Sequence, residues 1–333
     1  MYINQIFEFS MMLDSDKFYK ILNKVINKEE HLEKTEDGYI DQSLASKGII
    51  VKYRDSQYKK KVKLVINTSV VMDCGKPDPD KLIRKLEKRI GEYFGYKYQI
   101  NDFDLSGMTL IVDINVGNSE NVAAYLKVLK RIGKVKGFSP SSYDCFSGDD
   151  SFCLDGNSNG IEFLIYDLEK ALIEQLRDTN INRKKLKSMI KDSEGILRAE
   201  VRLIKPKAIR AYTNTTNISE QITELSENCG DIFLDTFMRI VPFGDYYKKD
   251  KAEKIIWREV KDSRLRRKML QLLALIPEKK SLHLAQRAMD CRNIEKVMGE
   301  FAEINVSPIT ISKRQDVKYM KCIHSYLIDG LHN

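Results

Sequence analysis

Apolar and polar residues alternate along several stretches of this chain, and a period of two residues predicts β-strands. Residues 47–53 and 60–67 form two such runs, and the polar Arg54-Asp-Ser-Gln57 between them predicts a hairpin. Further strand-like runs occupy residues 108–116, 134–138, 160–167 and 196–204, and a long polar loop occupies residues 139–159. Other segments carry apolar residues at helical spacing, over residues 14–27, 80–93 and 121–133.

Beyond Tyr212 the pattern is almost entirely helical. The predicted helices span residues 219–240, 245–261, 264–276, 281–290, 294–303 and 312–329. We therefore predict an α+β domain over residues 1–261, with a central antiparallel sheet flanked by helices, followed by an all-helical domain over residues 262–333. The last two helices and their turn at residues 305–308 also fit a helix-turn-helix, a pattern that bundles without a nucleic-acid partner share.

Charged residues alternate with apolar ones on the predicted strands. Arg198, Glu200 and Arg202 are two residues apart and therefore project from one side of their strand. Two interpretations are open, because an unpaired buried carboxylate is costly. In the first, the face is solvated and carries cross-strand ion pairs. In the second, its carboxylates bind Mg²⁺ or Mn²⁺, which prefer oxygen ligands. The candidate metal ligands are Asp113, Glu200, Glu162 and Asp167.

Three short motifs occur in order along the chain: Ile111-Val-Asp113, Tyr166-Asp-Leu-Glu169 and Leu197-Arg-Ala-Glu-Val-Arg-Leu203. They resemble the replication initiation proteins of rolling-circle plasmids and filamentous phages, over about residues 45–260. The family pattern reads Arg-Ile-Asp, Tyr-Asp-Lys-x-x-Glu and Leu-Arg-x-Glu-x-Arg-Leu. The third motif matches closely, whereas Ile111 stands at the arginine of the family and Leu168 at its lysine.

The resemblance implies an enzyme that nicks and rejoins one DNA strand at an origin. In this family a tyrosine attacks the phosphodiester, forms a 5′-phosphotyrosyl intermediate and leaves a free 3′-hydroxyl. A phenol with a pKa near 10 needs a metal ion or a base for this step. Many relatives bind the metal through two histidines that flank one hydrophobic residue. The four histidines here are not so arranged, so carboxylates would bind Mg²⁺ or Mn²⁺.

Tyr246 and Tyr247 are the first candidates for the nucleophile. They follow a Pro-Phe-Gly break at a predicted helix start, where the helix dipole favours a phosphate, and Lys249 lies one turn after Tyr246. The alternative is that both tyrosines pack a helix against the sheet. Tyr212 and Tyr166 are the remaining candidates for the nucleophile.

The net charge of +8 is concentrated at one end of the chain. From residue 247 onwards there are 19 Lys and Arg against 11 Asp and Glu, which accounts for the whole excess. A basic helical segment is typical of phosphate contact with DNA, although soluble helix bundles share it. The candidate DNA contacts are Arg198, Arg202, Lys248, Arg264, Arg266, Arg267 and Lys268. The second functional hypothesis is therefore a non-catalytic DNA-binding protein of a mobile element with the same ancestry.

Other features narrow the class of protein. No apolar run approaches eighteen residues and the N-terminus lacks a basic signal-peptide start, so we expect a cytoplasmic protein without a membrane segment. The six scattered cysteines predict free thiols, and the absence of a Gly-rich phosphate loop disfavours a metabolic enzyme. The resemblance implies origin DNA, single-stranded or in a stem-loop, as the partner, with a host helicase and polymerase. A homodimer remains open.

Overall fold

The computed structural model describes residues 2–26, 31–73, 78–141, 150–156, 158–178, 183–289 and 291–331. Its strands are Asn4–Leu13 (β1), Leu32–Thr35 (β2), Gly38–Asp41 (β3), Ile49–Asp55 (β4), Lys60–Asn67 (β5), Asp104–Asn115 (β6), Ser139–Pro140 (β7), Ser151–Gly156 (β8), Ile161–Asp167 (β9), Ile196–Leu203 (β10), Tyr246–Tyr247 (β11) and Tyr319–Met320 (β12). The first ten form one antiparallel sheet in the order β2-β3-β4-β5-β1-β6-β10-β9-β8-β7, and β11 pairs with β12.

The α-helices are Ser15–Ile26 (α1), Thr68–Val71 (α2), Pro79–Phe94 (α3), Ser119–Leu129 (α4), Leu168–Asp178 (α5), Arg183–Asp192 (α6), Pro206–Arg210 (α7), Ile218–Glu227 (α8), Cys229–Ile240 (α9), Lys249–Glu259 (α10), Ser263–Lys279 (α11), Leu282–Ala288 (α12), Ile294–Glu303 (α13) and Ile323–Leu331 (α14). Helix α3 shows why such segments are helical. The Asp78 carboxylate caps its first turn by accepting the Lys81 N–H at 3.0 Å. Its buried stripe recurs at Leu82, Leu86 and Ile90.

The sheet has two chemically different faces. Directly opposed residues of neighbouring strands share a face, so the register assigns each side chain to one of them. The covered face packs with the helices in one hydrophobic cluster and includes Phe7, Leu64, Leu110, Phe163 and Val201. The open face lies opposite and carries Glu8, Lys52, Arg54, Lys61, Lys63, Asp113, Glu162, Tyr166, Arg198, Glu200 and Arg202. Antiparallel sheets with one solvated face alternate in this way.

Helices α5 and α6 pack on one end of the open face. Their Leu168, Leu172 and Leu186 form a second, smaller hydrophobic cluster with Leu164 and Tyr166 of β9. The buried apolar residues of the other described helices belong to the cluster on the covered face. The open face is therefore accessible at β4 and β5, whereas α5 and α6 cover it at β9 and over part of β10.

The C-terminal helices share the core of the sheet. Leu272, Phe301 and Ile323 belong to the cluster of the covered face, and the Tyr125 hydroxyl of α4 donates to the Lys321 carbonyl at 2.7 Å. Removal of the C-terminal quarter would expose this core. Single substitutions are therefore better tests of its role than truncation.

The predicted α+β fold, its antiparallel sheet and its largely helical C-terminal region are confirmed. Several local predictions are wrong. The predicted loop over residues 139–159 contains β7 and β8, and its residues 142–149 lie outside the described part of the chain. The predicted strand over residues 134–138 is a turn closed by the pairing of Val135 with Phe138. The predicted helix over residues 219–240 is divided into α8 and α9 at Asn228, and the one over residues 245–261 begins only at Lys249. The predicted helix over residues 312–329 begins only at Ile323, so the helix-turn-helix is not formed. Residues 306–311 instead run beside β11, held by backbone bonds from Ser307 and Ile311.

No described helix is both long and apolar enough to cross a membrane.

Candidate functional site: a charged cluster and a basic quartet on the open face

Charged side chains meet on the open face where β6, β10 and β9 lie side by side. Arg198 stands directly opposite Asp113, and its Nε and Nη2 donate to the two carboxylate oxygens at 2.7 and 2.8 Å. Such a bidentate pair is stronger and more directional than a single hydrogen bond. Both side chains keep contact with solvent, at 27% and 42% exposure.

Glu200 is the buried member of this cluster, at 5% exposure. Its Oε1 accepts the Tyr166 hydroxyl at 2.5 Å, and its Oε2 accepts Arg202 Nε at 2.8 Å. Arg202 also lies 3.9 Å from a carboxylate oxygen of Glu162. A carboxylate buried with two donors is satisfied, which is the condition for burying it at a modest cost. The result is one connected network of polar side chains that runs from Tyr166 through Glu200 and Arg202 to Glu162.

The pKa values in the cluster follow from burial and from these contacts. Burial, and then the charge and hydrogen bond of Glu200, raise the pKa of Tyr166 above its ordinary value. Burial favours a lower pKa for Arg198, but the hydrogen bond and charge of Asp113 outweigh it and raise that pKa. Burial also raises the pKa of Glu162, against the opposing charge of Arg202. At neutral pH Tyr166 is therefore protonated and acts as a hydrogen-bond donor.

The carboxylates that were predicted to bind a metal ion are paired with guanidinium groups in this structure. Asp113, Glu200 and Glu162 share the open face, as predicted, but guanidinium groups engage their oxygens. Asp167 lies on the covered side at the end of β9, where its Oδ1 accepts the Lys170 N–H at 3.2 Å. Within the described ranges no three acidic, His or Cys residues are placed to hold a metal. A Mg²⁺ or Mn²⁺ site stays a prediction.

Tyr246 and Tyr247 lie apart from the charged cluster. They form β11, and α10 begins after them at Lys249. Tyr246 is fully buried beside Tyr125 of α4, at 5.9 Å between ring centroids, in the cluster of the covered face. Burial raises the pKa of both tyrosines. The structure thus makes them packing residues and brings neither to Glu200.

Among the other candidates for the nucleophile, Tyr166 is the one that contacts Glu200. Tyr212 packs partly buried against the cluster of the covered face, and burial raises its pKa.

The predicted DNA contacts of the C-terminal quarter have different roles. Lys248 Nζ donates to the Ser312 carbonyl at 2.5 Å and to that of Gln315, so it fixes the chain after α13. Lys249 Nζ lies 3.6 Å from Glu253 on the next helical turn. On α11 the exposed cations are Arg264, Arg267 and Lys268. Arg266, by contrast, stacks on Trp257.

A second group of charges, absent from the predicted site, lies on the open face of β4 and β5. We call Lys52, Arg54, Lys61 and Lys63 the basic quartet. Lys52 stands directly opposite Lys63, and Arg54 directly opposite Lys61. Like charges that face each other across an antiparallel pair destabilise it. The quartet therefore keeps two unfavourable pairs side by side.

Partners within the protein compensate only part of this charge. Lys63 Nζ lies 2.6 Å from Glu8 Oε2, and Arg54 lies 3.5 Å from an exposed Asp37. Lys52 and Lys61 form no ion pair with any described residue. Burial, and then the charges of Lys63 and Arg54, lower the pKa of Lys61. Alternating cations on both arms of the predicted hairpin were the sequence signal for this group.

Comparison with protein-family models finds no match for this chain, and a search of curated proteins finds none. The motifs of the sequence and the geometry of the open face therefore carry the functional inference.

Proposed function

We propose that this protein binds DNA through the open face of its sheet, as a DNA-binding protein of a mobile element that shares ancestry with rolling-circle replication initiators. The observation that carries this function is the basic quartet. Two adjacent like-charged pairs oppose folding when they are unoccupied, and they are stabilised when an anion lies across them. A nucleic-acid backbone supplies such an anion at regular spacing, and phosphate contacts provide most of its affinity for proteins.

The charged cluster continues this surface on the far side of β1. Arg198 and Arg202 are compensated by three carboxylates, so their end of the open face has no excess of positive charge, whereas the quartet does. A DNA strand is therefore held by charge at β4 and β5. At β10 the partly exposed guanidinium groups offer their remaining N–H donors to the same strand.

One observation favours strand cleavage as a second candidate function. Tyr166 donates to Glu200 at 2.5 Å in a cluster that also holds Arg198 and Arg202, which is the set of groups that a tyrosine nuclease needs. In that reaction the Tyr166 oxygen forms a bond to phosphorus and its proton passes to Glu200. The bond from phosphorus to the 3′ oxygen breaks, and that oxygen takes a proton from water.

Burial favours binding over cleavage in this arrangement. Tyr166 and Glu200 are each 5% exposed, and α5 and α6 pack on Tyr166. Arg198 and Asp113 are more exposed than Tyr166, so a phosphate on the open face contacts them before it contacts the Tyr166 hydroxyl. The raised pKa of Tyr166 also disfavours the phenolate. DNA binding without cleavage is therefore the better supported function.

A pair of assays separates the two functions. Fluorescence anisotropy with a labelled oligonucleotide measures binding and its salt dependence, and supercoiled plasmid with Mg²⁺ or Mn²⁺ reports nicking. We expect salt-dependent binding, no nicked plasmid and no covalent adduct on a tyrosine. Nicking that Tyr166→Phe and Asp113→Ala abolish, with binding retained, would establish the cleaving enzyme instead. Absence of salt-dependent binding would refute both functions.

A further inference from the structure

The only tryptophan of the chain lies exposed on a helix of the basic C-terminal region. Trp257 of α10 is 59% exposed. Tryptophan presents a large, rigid ring with a polar N–H, and it is enriched at contact surfaces. The position of Trp257 is therefore a candidate contact surface.

One face of the Trp257 ring is already occupied by a cation. The guanidinium carbon of Arg266 lies 4.4 Å from the ring centroid, which is a cation–π contact. Arg266 is itself held in place, because its Nη1 donates to the Val260 carbonyl at 3.0 Å. The ring is thus supported on one side by Arg266, and more than half of the Trp257 surface remains exposed to solvent.

The charge around this ring is strongly positive. Residues 248–268 contain ten Lys and Arg against four Asp and Glu, so this short segment holds most of the excess charge of the chain. Lys254 precedes Trp257 by one helical turn and Lys261 follows it. An aromatic ring among cations fits a ligand that combines a flat aromatic surface with negative charge.

We propose, on the basis of the DNA binding proposed above, that Trp257 and Arg266 form a stacking site for an unpaired base of single-stranded DNA. The base lies on the open face of the indole, so that guanidinium, indole and base form three layers. Stacking on an aromatic ring is tolerant of base identity, since every base has a π-face. The neighbouring lysines contact the phosphates on either side of that base. Duplex DNA does not fit, because its bases are stacked on one another.

Because Trp257 is the only tryptophan, its fluorescence reports directly on this site. The full-length protein is titrated with an oligothymidine strand and with a duplex of the same length. Tryptophan emission and the anisotropy of a labelled strand are recorded in parallel. We expect the single strand to quench the emission along the same isotherm as the anisotropy, and the duplex to leave the emission unchanged.

Substitution gives a second readout. Trp257→Ala should weaken single-strand binding by about 5-fold to 140-fold, the loss of one stacked base, whereas Trp257→Phe should retain most of the affinity. Tyr96→Ala, which removes another strongly exposed ring, is the matched control and should bind like the unmodified protein.

The outcomes distinguish this site from the function on which it is built. The stacking site is overturned if anisotropy shows binding while the tryptophan emission does not change and Trp257→Ala binds with unchanged affinity. That result leaves the proposed DNA binding intact. Loss of binding by every readout overturns both. Emission that changes with protein concentration in the absence of DNA overturns the site in favour of contact with a second copy of the chain.

Discussion

Replacement of Lys52 and Lys61 by glutamine removes the two members of the basic quartet that form no ion pair with the described residues. The double variant Lys52→Gln/Lys61→Gln leaves one cation in each of the two opposed pairs. We expect opposite effects on stability and on DNA affinity. The free energy of unfolding should rise by about 0.2–1 kcal/mol, because like-charge repulsion across the strands is relieved.

The expected loss of affinity follows from counterion release. Each phosphate contact to a single strand contributes about −0.7 to the slope of log affinity against log salt, so loss of two contacts should make the slope shallower by about 1.4. At about 0.1 M salt this corresponds to a roughly 25-fold weaker affinity. Anisotropy titrations from about 50 to 200 mM salt measure the slope, and urea denaturation measures stability.

Lys88→Gln provides the control for this prediction. Lys88 is an exposed lysine of α3, which packs on the covered face. Its removal changes the net charge without touching the open face, so the salt slope should stay that of the unmodified protein. If the double variant folds normally and keeps the full slope, the quartet does not contact phosphates. A fall in its stability would show instead that the two lysines stabilise the sheet.

Two further predictions concern the interior. The Tyr246 hydroxyl is buried without a hydrogen-bond partner among the described residues, which costs about 1–3 kcal/mol. Tyr246→Phe should therefore raise the free energy of unfolding, measured in urea, and leave DNA binding unchanged. A less stable variant would show that the hydroxyl does have a partner. Burial lowers the pKa of His324 below its ordinary value near 6.5, against the opposing effect of its 2.9 Å contact with the Val241 carbonyl. The unfolded chain therefore takes up this proton first, and stability should fall as pH drops below about 6.5. Denaturation of His324→Gln should lose that dependence, whereas His31→Gln, which alters an exposed histidine, should keep it.

Periodicity predicted the elements that bury one side against the core. The hairpin of β4 and β5, the strands β6, β9 and β10, and the helices α1 and α3 all appear near their predicted positions. The reason is that side chains return to the same face every two residues in a strand and every 3.6 residues in a helix. When one face is buried, the apolar residues therefore recur at that period. The same periodicity did not lead to a prediction of β1, which lies between β5 and β6 in the sheet, although the apolar Phe7, Phe9 and Met11 alternate with other residues in it.

Contacts between distant residues decided the C-terminal elements. Residues 312–322 have the apolar spacing of a helix, yet Lys248 holds the carbonyls of Ser312 and Gln315, and Asp245 Oδ1 accepts the Cys322 N–H at 2.7 Å. Tyr319 and Met320 pair with β11 instead. Local pattern cannot report such bonds, because each joins residues more than sixty positions apart.

For the candidate site, the amino-acid sequence was enough to predict which side chains share a face. Arg198, Glu200 and Arg202 are two residues apart, and strand geometry alone puts them on one side. The partners of these side chains depend on how the strands and helices pack together. The strand register places Arg198 opposite Asp113. Helices α5 and α6 pack on Tyr166, which donates to Glu200. Tyr246 is buried in the core on the covered face. Alternation is a property of one strand, whereas register and the choice of covered face depend on packing among all of them.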